Sequence, residues 1–191
     1  MALAFDFSWA NKTLFYNQYT QQASYFDNSE LGAHKKGLPS KAELELLNKW
    51  KGQIPQEVFT QELKPLGEGL DSRGRLRQAK MILDKDGWKL KDGVLEKNGT
   101  KLEFTLLLNG PSWQRIAEPY FKNLQRLGIG AKVKVLDSSI YTKKLKGHNY
   151  EMIVGSFGQS ESPGNEQRNY WSSKTVDKEG SRNYICVKNK A

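Results

Sequence analysis

The sequence predicts a mixed α/β fold of single-domain size, with sheet strands flanked by helices and a long irregular C-terminal segment. Three observations carry that reading. The hydrophobic period changes from helical to strand-like just after Gly87. Two dipeptides, Asp92-Gly93 and Asn98-Gly99, are strong hairpin signals. From Leu102 to Phe157, strand and helix patterns alternate, the order expected of a unit wound on one sheet.

The first helix opens near Asp6 or Ser8, either of which can cap it, with Leu14 and Phe15 following Ala10 as its buried stripe. A loop without period then runs to Pro39. Ser40 and Glu43 have capping-box spacing, and Leu44, Leu47 and Trp50 give the next helix one apolar face before Gly52 and Pro55 end it. A second irregular stretch leads to a helix from about Arg73 to Lys85. It puts Leu76, Ala79, Ile82 and Leu83 on one side and Gly87 at the C-terminal cap.

The two hairpin turns predict two short strands leading into a long one, Leu102 to Leu108. Ser112 is the expected cap of the following helix, with Ile116, Tyr120, Leu124 and Leu127 inward and a kink at Pro119. A proline inside a helix costs about 3 kcal/mol or bends it. "AKVKVLD" alternates as a strand, a short helix follows Asp137 or Ser138, and "YEMIVGSF" is another strand. Residues 1–157 are thus expected to form the α/β body.

After Phe157 the pattern stops, and only "NYICV" reads as a possible end strand. The tail, 158–191, keeps Tyr170, Trp171, Tyr184 and Ile185, which is not the composition of a disordered linker. So long an irregular segment points to function or to a partner that is elsewhere. The expectation is a chain cut from something larger, whose remainder covers those aromatics.

Composition removes several functions. No apolar run approaches the length of a membrane span, and "MALAFDFSWANK" lacks the pattern of a signal peptide. Cys186 alone, with His34 and His148, makes neither an internal disulfide nor a zinc site. A net charge of +9 invites nucleic acid, but the lysines are spread along the whole chain as on a solvated surface. A basic nucleic-acid-binding module stays as the alternative reading.

No phosphate loop, G-x-S-x-G or H-E-x-x-H occurs. Asp27, Glu30 and Asp71 lie in loops, and nothing in their spacing makes them an acid–base pair. The sequence predicts no catalysis, no cofactor and no metal.

Binding fits better. "SPGNEQRNYW", from Ser162, joins flat aromatics to oriented amides and charges just past a strand end, where ligands of α/β sheets gather. "ASYFDNSE", from Ala23, has the same mixture, with Tyr25 and Phe26 beside Asn28. Both stretches could equally be loops packed on their own sheet, with Asn and Ser as turn residues.

These two stretches, with "GLPSKAELELLNKW", "IPQEVF", "GRLRQAKMILDKDGWKLKDG", "LGIGAKVKVLDSSIYTKKL" and "GSRNY" in order, resemble the extracytoplasmic solute-binding proteins of ABC-type oligopeptide importers. The likeness is to family 5, in the YejA-like branch, and covers nearly the whole chain. It implies a lobe of the type II periplasmic-binding-protein fold, specifically most of the distal lobe of a longer, two-lobed protein. The tail would return toward the hinge, and the signal peptide would be absent because the piece is internal. It also implies a periplasmic location, an oligopeptide or peptide-like ligand, a second lobe and ABC permease subunits as partners, and no nucleic acid. Hinge closure around the ligand is what the permease would read. Within the matching segments, Asn165, Glu166, Arg168 and Asn169 are expected as polar contacts or hinge anchors, and Tyr170 and Trp171 as walls. Tyr25, Phe26 and Asn28 complete the expected set. Glu166 could hold a peptide's amino terminus and Arg168 its carboxylate, or the two could pair with each other.

Overall fold

The computed structural model describes residues 1–188 except 28, 31, 33–36, 63 and 159; the expected site residue Asn28, and His34, lie outside the described residues. Asp6, not Ser8, caps the first helix, α1 (Phe7–Leu14), its carboxylate accepting from the Trp9 amide at 3.0 Å. Ala10 is buried and Leu14 and Phe15 half-buried. In α2 (Lys41–Leu47) both arms of the capping box form, at 2.6 and 3.3 Å. The expected apolar face finds no cover, however. Leu44 and Leu47 are half-buried, Trp50 is exposed, and α2 buries no residue. A cap is satisfied by its own helix, whereas an apolar face needs a neighbour.

The irregular stretch that follows contains one helical turn, α3 (Glu57–Thr60). Helix α4 (Ser72–Lys85) is capped by Asp71 and buries Ala79. Ile82, expected on the buried side, is exposed, at the margin of the stripe that Leu76, Ala79 and Leu83 turn to the core. The side chain that is buried there instead is Arg75, 3% exposed. Its guanidinium donates to the carbonyls of Leu3, Phe5, Leu66 and Gly67 at 3.4, 3.0, 3.2 and 2.9 Å. A buried charge is thereby satisfied by carbonyl dipoles, and the N-terminal segment is pinned to α4.

Strands β1 (Lys89–Lys91), β2 (Val94–Lys97) and β3 (Thr100–Lys101) form an antiparallel sheet. Asp92 and Gly93 (φ 50° and 84°) and Asn98 and Gly99 (φ 52° and 78°) supply the left-handed turn residues of tight hairpins. There is one more short strand than the sequence predicts, because Thr100 and Lys101 stay paired with β2 before the long strand, β4 (Glu103–Asn109), begins. After a tight turn at Pro111–Trp113 comes α5 (Gln114–Arg126), which has no side-chain cap, so the expected role of Ser112 is not taken. That preceding turn leads straight into the helix. α5 runs on through Pro119 and buries Ala117, Phe121 and Leu124. The expected Ile116 and Tyr120 are only half-buried, at the margin of that stripe.

Strand β5 (Gly130–Leu136) leads to α6 (Ser138–Lys146), where Asp137 is the cap. β6 (Met152–Ile153) is shorter than its sequence pattern. In the tail, residues 166–171 form a helix, α7 (Glu166–Trp171), too short to show a period. "NYICV" is not a strand. The Asn183 side chain holds the Val187 amide at 2.8 Å and closes a turn there, leaving Cys186 exposed with φ 53°.

β4 is central in a parallel sheet of order β5-β4-β6. Its Leu106 and Leu108 face α5 and the N-terminal segment, while Leu107 packs with Leu136 and Tyr141 under α6. Both faces are covered, which is why the strand reads as an unbroken leucine run rather than an alternation. The fold class is the expected one, with the two strand senses divided between an antiparallel and a parallel sheet.

Candidate ligand-binding site

The carboxyl ends of a parallel sheet collect loops on one edge, and a central strand whose neighbours connect in opposite directions opens a crevice there. Here β4 occupies that place. Chain leaving the carboxyl end of β6 runs directly into the tail, and the first large side chain it meets is Phe157. That ring is the hub of an aromatic cluster. Its centroid lies 4.9 Å from Trp171, 5.3 Å from Tyr170, 6.1 Å from Tyr184 and 6.2 Å from Tyr25. Tyr25 in turn meets Trp171 edge-on at 5.2 Å.

Two of the sequence-predicted groups are thus brought together. The Glu30 amide donates to the Glu161 carbonyl at 2.9 Å and ties the loop of Tyr25 to the tail. Inside that loop, Asp27 accepts from the amides of Ala23 and Ser24 at 2.8 and 3.1 Å, a structural use of a carboxylate. Phe26 is half-buried, its carbonyl taken by the Ser29 hydroxyl. Beside the loop lies a polar hollow of about 570 Å³ lined by Tyr19, Gln21, Gln22 and Asp27 among others.

The tail residues divide by depth. Tyr170 lies beneath the surface, 2% exposed, its hydroxyl donating to the Gly158 carbonyl at 2.9 Å and its ring covered by the Arg182 guanidinium at 5.0 Å. Trp171 is half-buried, with its indole N–H on Gln167 at 2.7 Å, and Tyr25 stands 60% exposed at the cluster's edge. Asn165, Arg168 and Asn169 are exposed. Glu166 does not pair with Arg168. Residues two apart on a helix point to different sides, and the Glu166 carboxylate turns back to the Gly164 amide at 2.8 Å. That backbone hydrogen bond, ahead of the Gln167 side chain, holds its carboxyl below the usual glutamate range. Among the described residues Arg168 meets no carboxylate, so its guanidinium is available to a ligand.

Sequence reasoning left Phe157, Tyr184 and Asn183 out of the expected site, although it noted Tyr184 among the tail aromatics. Asn183 is wholly buried, its amide donating to the carbonyls of Ser172 and Val187 at 3.2 and 3.0 Å. Tyr150 adds a further anchor, its hydroxyl on the Tyr184 carbonyl at 2.8 Å, and burial pushes that phenol up to about 12. For Phe157 a signal existed, an aromatic at the strand end. Asn183 stands in the matching segment "GSRNY", but nothing there showed its burial, because its partners are backbone groups.

The model of the family "Bacterial extracellular solute-binding proteins, family 5 Middle" matches residues 1–179. The chain belongs to that family. It is 41% identical over 189 residues to the uncharacterized protein y4wM of Sinorhizobium fredii, across 96% of this chain and 28% of that one. With the probable peptide-binding protein YejA of Agrobacterium fabrum it shares 35% over 192 residues, 98% of this chain and 31% of the relative. The solved oligopeptide-binding protein AppA of Bacillus subtilis, in complex with a nonapeptide, matches with a TM-score of 0.62 at 21% identity, across 99% of this chain and 32% of that chain. NikZ of Campylobacter jejuni, in complex with Ni(L-His), matches with a TM-score of 0.67 at 16% identity, over the same shares. At those identities the structures establish the fold, a type II periplasmic-binding-protein lobe. The family 5 chain described here spans about a third of the length of these relatives, by the shares just given. Solute binding, not catalysis or nucleic-acid recognition, is the family's business.

Proposed function

We propose that the chain is one lobe of the ligand cleft of a peptide-binding component of an ABC-type importer, working in the periplasm. In this reading residues 1–157 are the body of the lobe, and 158–191 return toward the hinge and a second lobe. The observation that carries it is the aromatic cluster at the carboxyl edge of the parallel sheet, with Trp171 and Tyr25 at its surface and Arg168, which meets no carboxylate among the described residues, three residues before Trp171 on α7. Flat rings suit the backbone and side chains of an extended peptide, and a free guanidinium suits its carboxylate in bidentate geometry. Asn165 and Asn169 supply further donors and acceptors. Glu166, already holding a backbone amide, serves more as an anchor of α7 than as a ligand for an amino terminus. The names of YejA and AppA support a peptide as the solute. Docking to permease subunits follows from the same importer role.

The test is native mass spectrometry of this chain and of the longest reading frame that contains it, each challenged with a mixed peptide pool and a labelled DNA strand. Peptide retained by the longer protein, and weakened about ten-fold or more by Arg168→Ala or Trp171→Ala, is the expected outcome. DNA retained in place of peptide sinks the reading.

A further inference from the structure

A cavity of about 350 Å³, lined by no residue of the tail cluster, opens between α1, the first residue of α4 and α5. Its size is that of a small-molecule site rather than of a packing fault. Phe5, Trp9 and Tyr120 give it aromatic walls, with the Phe5 and Tyr120 rings edge to face at 5.8 Å and Trp9 43% exposed. Ile116 and Pro119 continue the apolar lining.

The walls are held from behind by side chains that bond the backbone of the N-terminal segment. Arg75 grips the Phe5 carbonyl from below, and Asn123 donates to the Ala4 carbonyl at 3.0 Å. Asp6 is spent on the Trp9 amide and the Ser72 hydroxyl. What remains for a ligand is positive. Lys122 and Arg126 stand one turn apart on α5, both lining the cavity; Arg126 donates one N–H to the Asn123 side chain at 3.3 Å, and among the described residues neither meets a carboxylate at ion-pair distance. Like charges at that spacing repel, and an anion between them removes the repulsion. Tyr120 adds a half-buried hydroxyl with no hydrogen-bond partner among the described residues. Preformed aromatic walls, a cationic pair and a spare hydroxyl together match one kind of molecule.

We propose that this cavity is a second binding site, separate from the peptide cleft, for a small carboxylate that carries an aromatic ring. The ring enters between Trp9 and Tyr120, and the carboxylate meets Lys122 and Arg126. Because no tail residue lines the cavity, its occupancy does not depend on the peptide reading.

Phenylacetate is the probe, titrated by calorimetry and by saturation-transfer NMR, with benzyl alcohol as its uncharged counterpart. The expected result is saturable binding of phenylacetate, weaker binding of benzyl alcohol, and a loss of about ten-fold or more in the Lys122→Glu/Arg126→Glu double variant. Trp9→Ala should weaken both probes, while Trp171→Ala should change neither. Circular dichroism checks that each variant is folded. Absence of saturable binding at millimolar phenylacetate overturns the proposal. So does equal affinity for the two probes, or loss of binding in Trp171→Ala with none in the charge-reversed variant.

Discussion

Two groups of aromatic rings hold this molecule, and they are assembled differently. Phe5, Tyr120, Phe121 and Phe104 form a chain of contacts at 5.8, 5.5 and 5.9 Å across α5 and β4. They come mostly from consecutive periodic elements and lie against the main core. Tyr25, Phe157, Tyr170, Trp171 and Tyr184 come from separate stretches joined by loops, and they gather around Phe157, which meets each of the other four. The first group is part of what makes the sheet fold. The second organises the segments that are proposed to meet the ligand, and it keeps part of its surface open. A cluster that must receive a partner cannot be sealed by its own chain.

If that contrast is right, truncations in the two groups should differ in reach as well as size. Phe121→Ala, at a ring 4% exposed, should cost about 4 kcal/mol and lower the melting temperature by roughly 10 °C. Thermal unfolding followed by circular dichroism measures it. A drop no larger than that of a tail truncation would erase the distinction.

Arg75→Met comes next, at about 3 kcal/mol, because four carbonyls lose their donor together. Arg75→Lys should recover less than half of that in urea unfolding, since one ammonium cannot span the same fork of acceptors. Full recovery would mean that charge, not geometry, is what the site needs.

Phe157→Ala should cost about 2 kcal/mol, confined to the tail. Hydrogen exchange should speed up over residues 158–188 and leave the amides of α5 unchanged. Equal acceleration in both regions would show one cooperative unit instead of two.

The smallest effect is a pH dependence. Glu166 is held below its ordinary value, so the unfolded chain binds its proton more readily than the folded one. Its contribution is present above the usual glutamate range and is lost as pH falls through the lowered folded value. As pH falls through and below the usual glutamate range, Glu166→Gln should flatten that fall in the helicity of α7, read by NMR shifts of Gly164 and Gln167. An unchanged profile would show that the Gly164 contact contributes nothing.

Much of this architecture was legible beforehand. The hairpins at Asp92-Gly93 and Asn98-Gly99, the capping box at Ser40 and Glu43, and the cap at Asp137, one of the two residues expected there, all formed, since each is satisfied within a few residues. The site was legible only as composition. "SPGNEQRNYW" announced aromatics and charges together, but not that Tyr170 would turn inward and Glu166 back onto Gly164. Trp50 and Ile82 erred the other way, apolar by pattern and exposed in the fold.

By itself, then, the sequence determined the longer local elements and their order along residues 1–157, and the family resemblance, because periods, caps and turn residues act over a few positions, whereas β3, α3 and α7 were too short to show a period. Tertiary structure alone decided which apolar faces are covered, that Arg75 is buried among carbonyls, and that Phe157 gathers rings from across the chain. Those outcomes depend on which distant segments come within a few ångströms of one another. No residue's own chemistry states its distant neighbours.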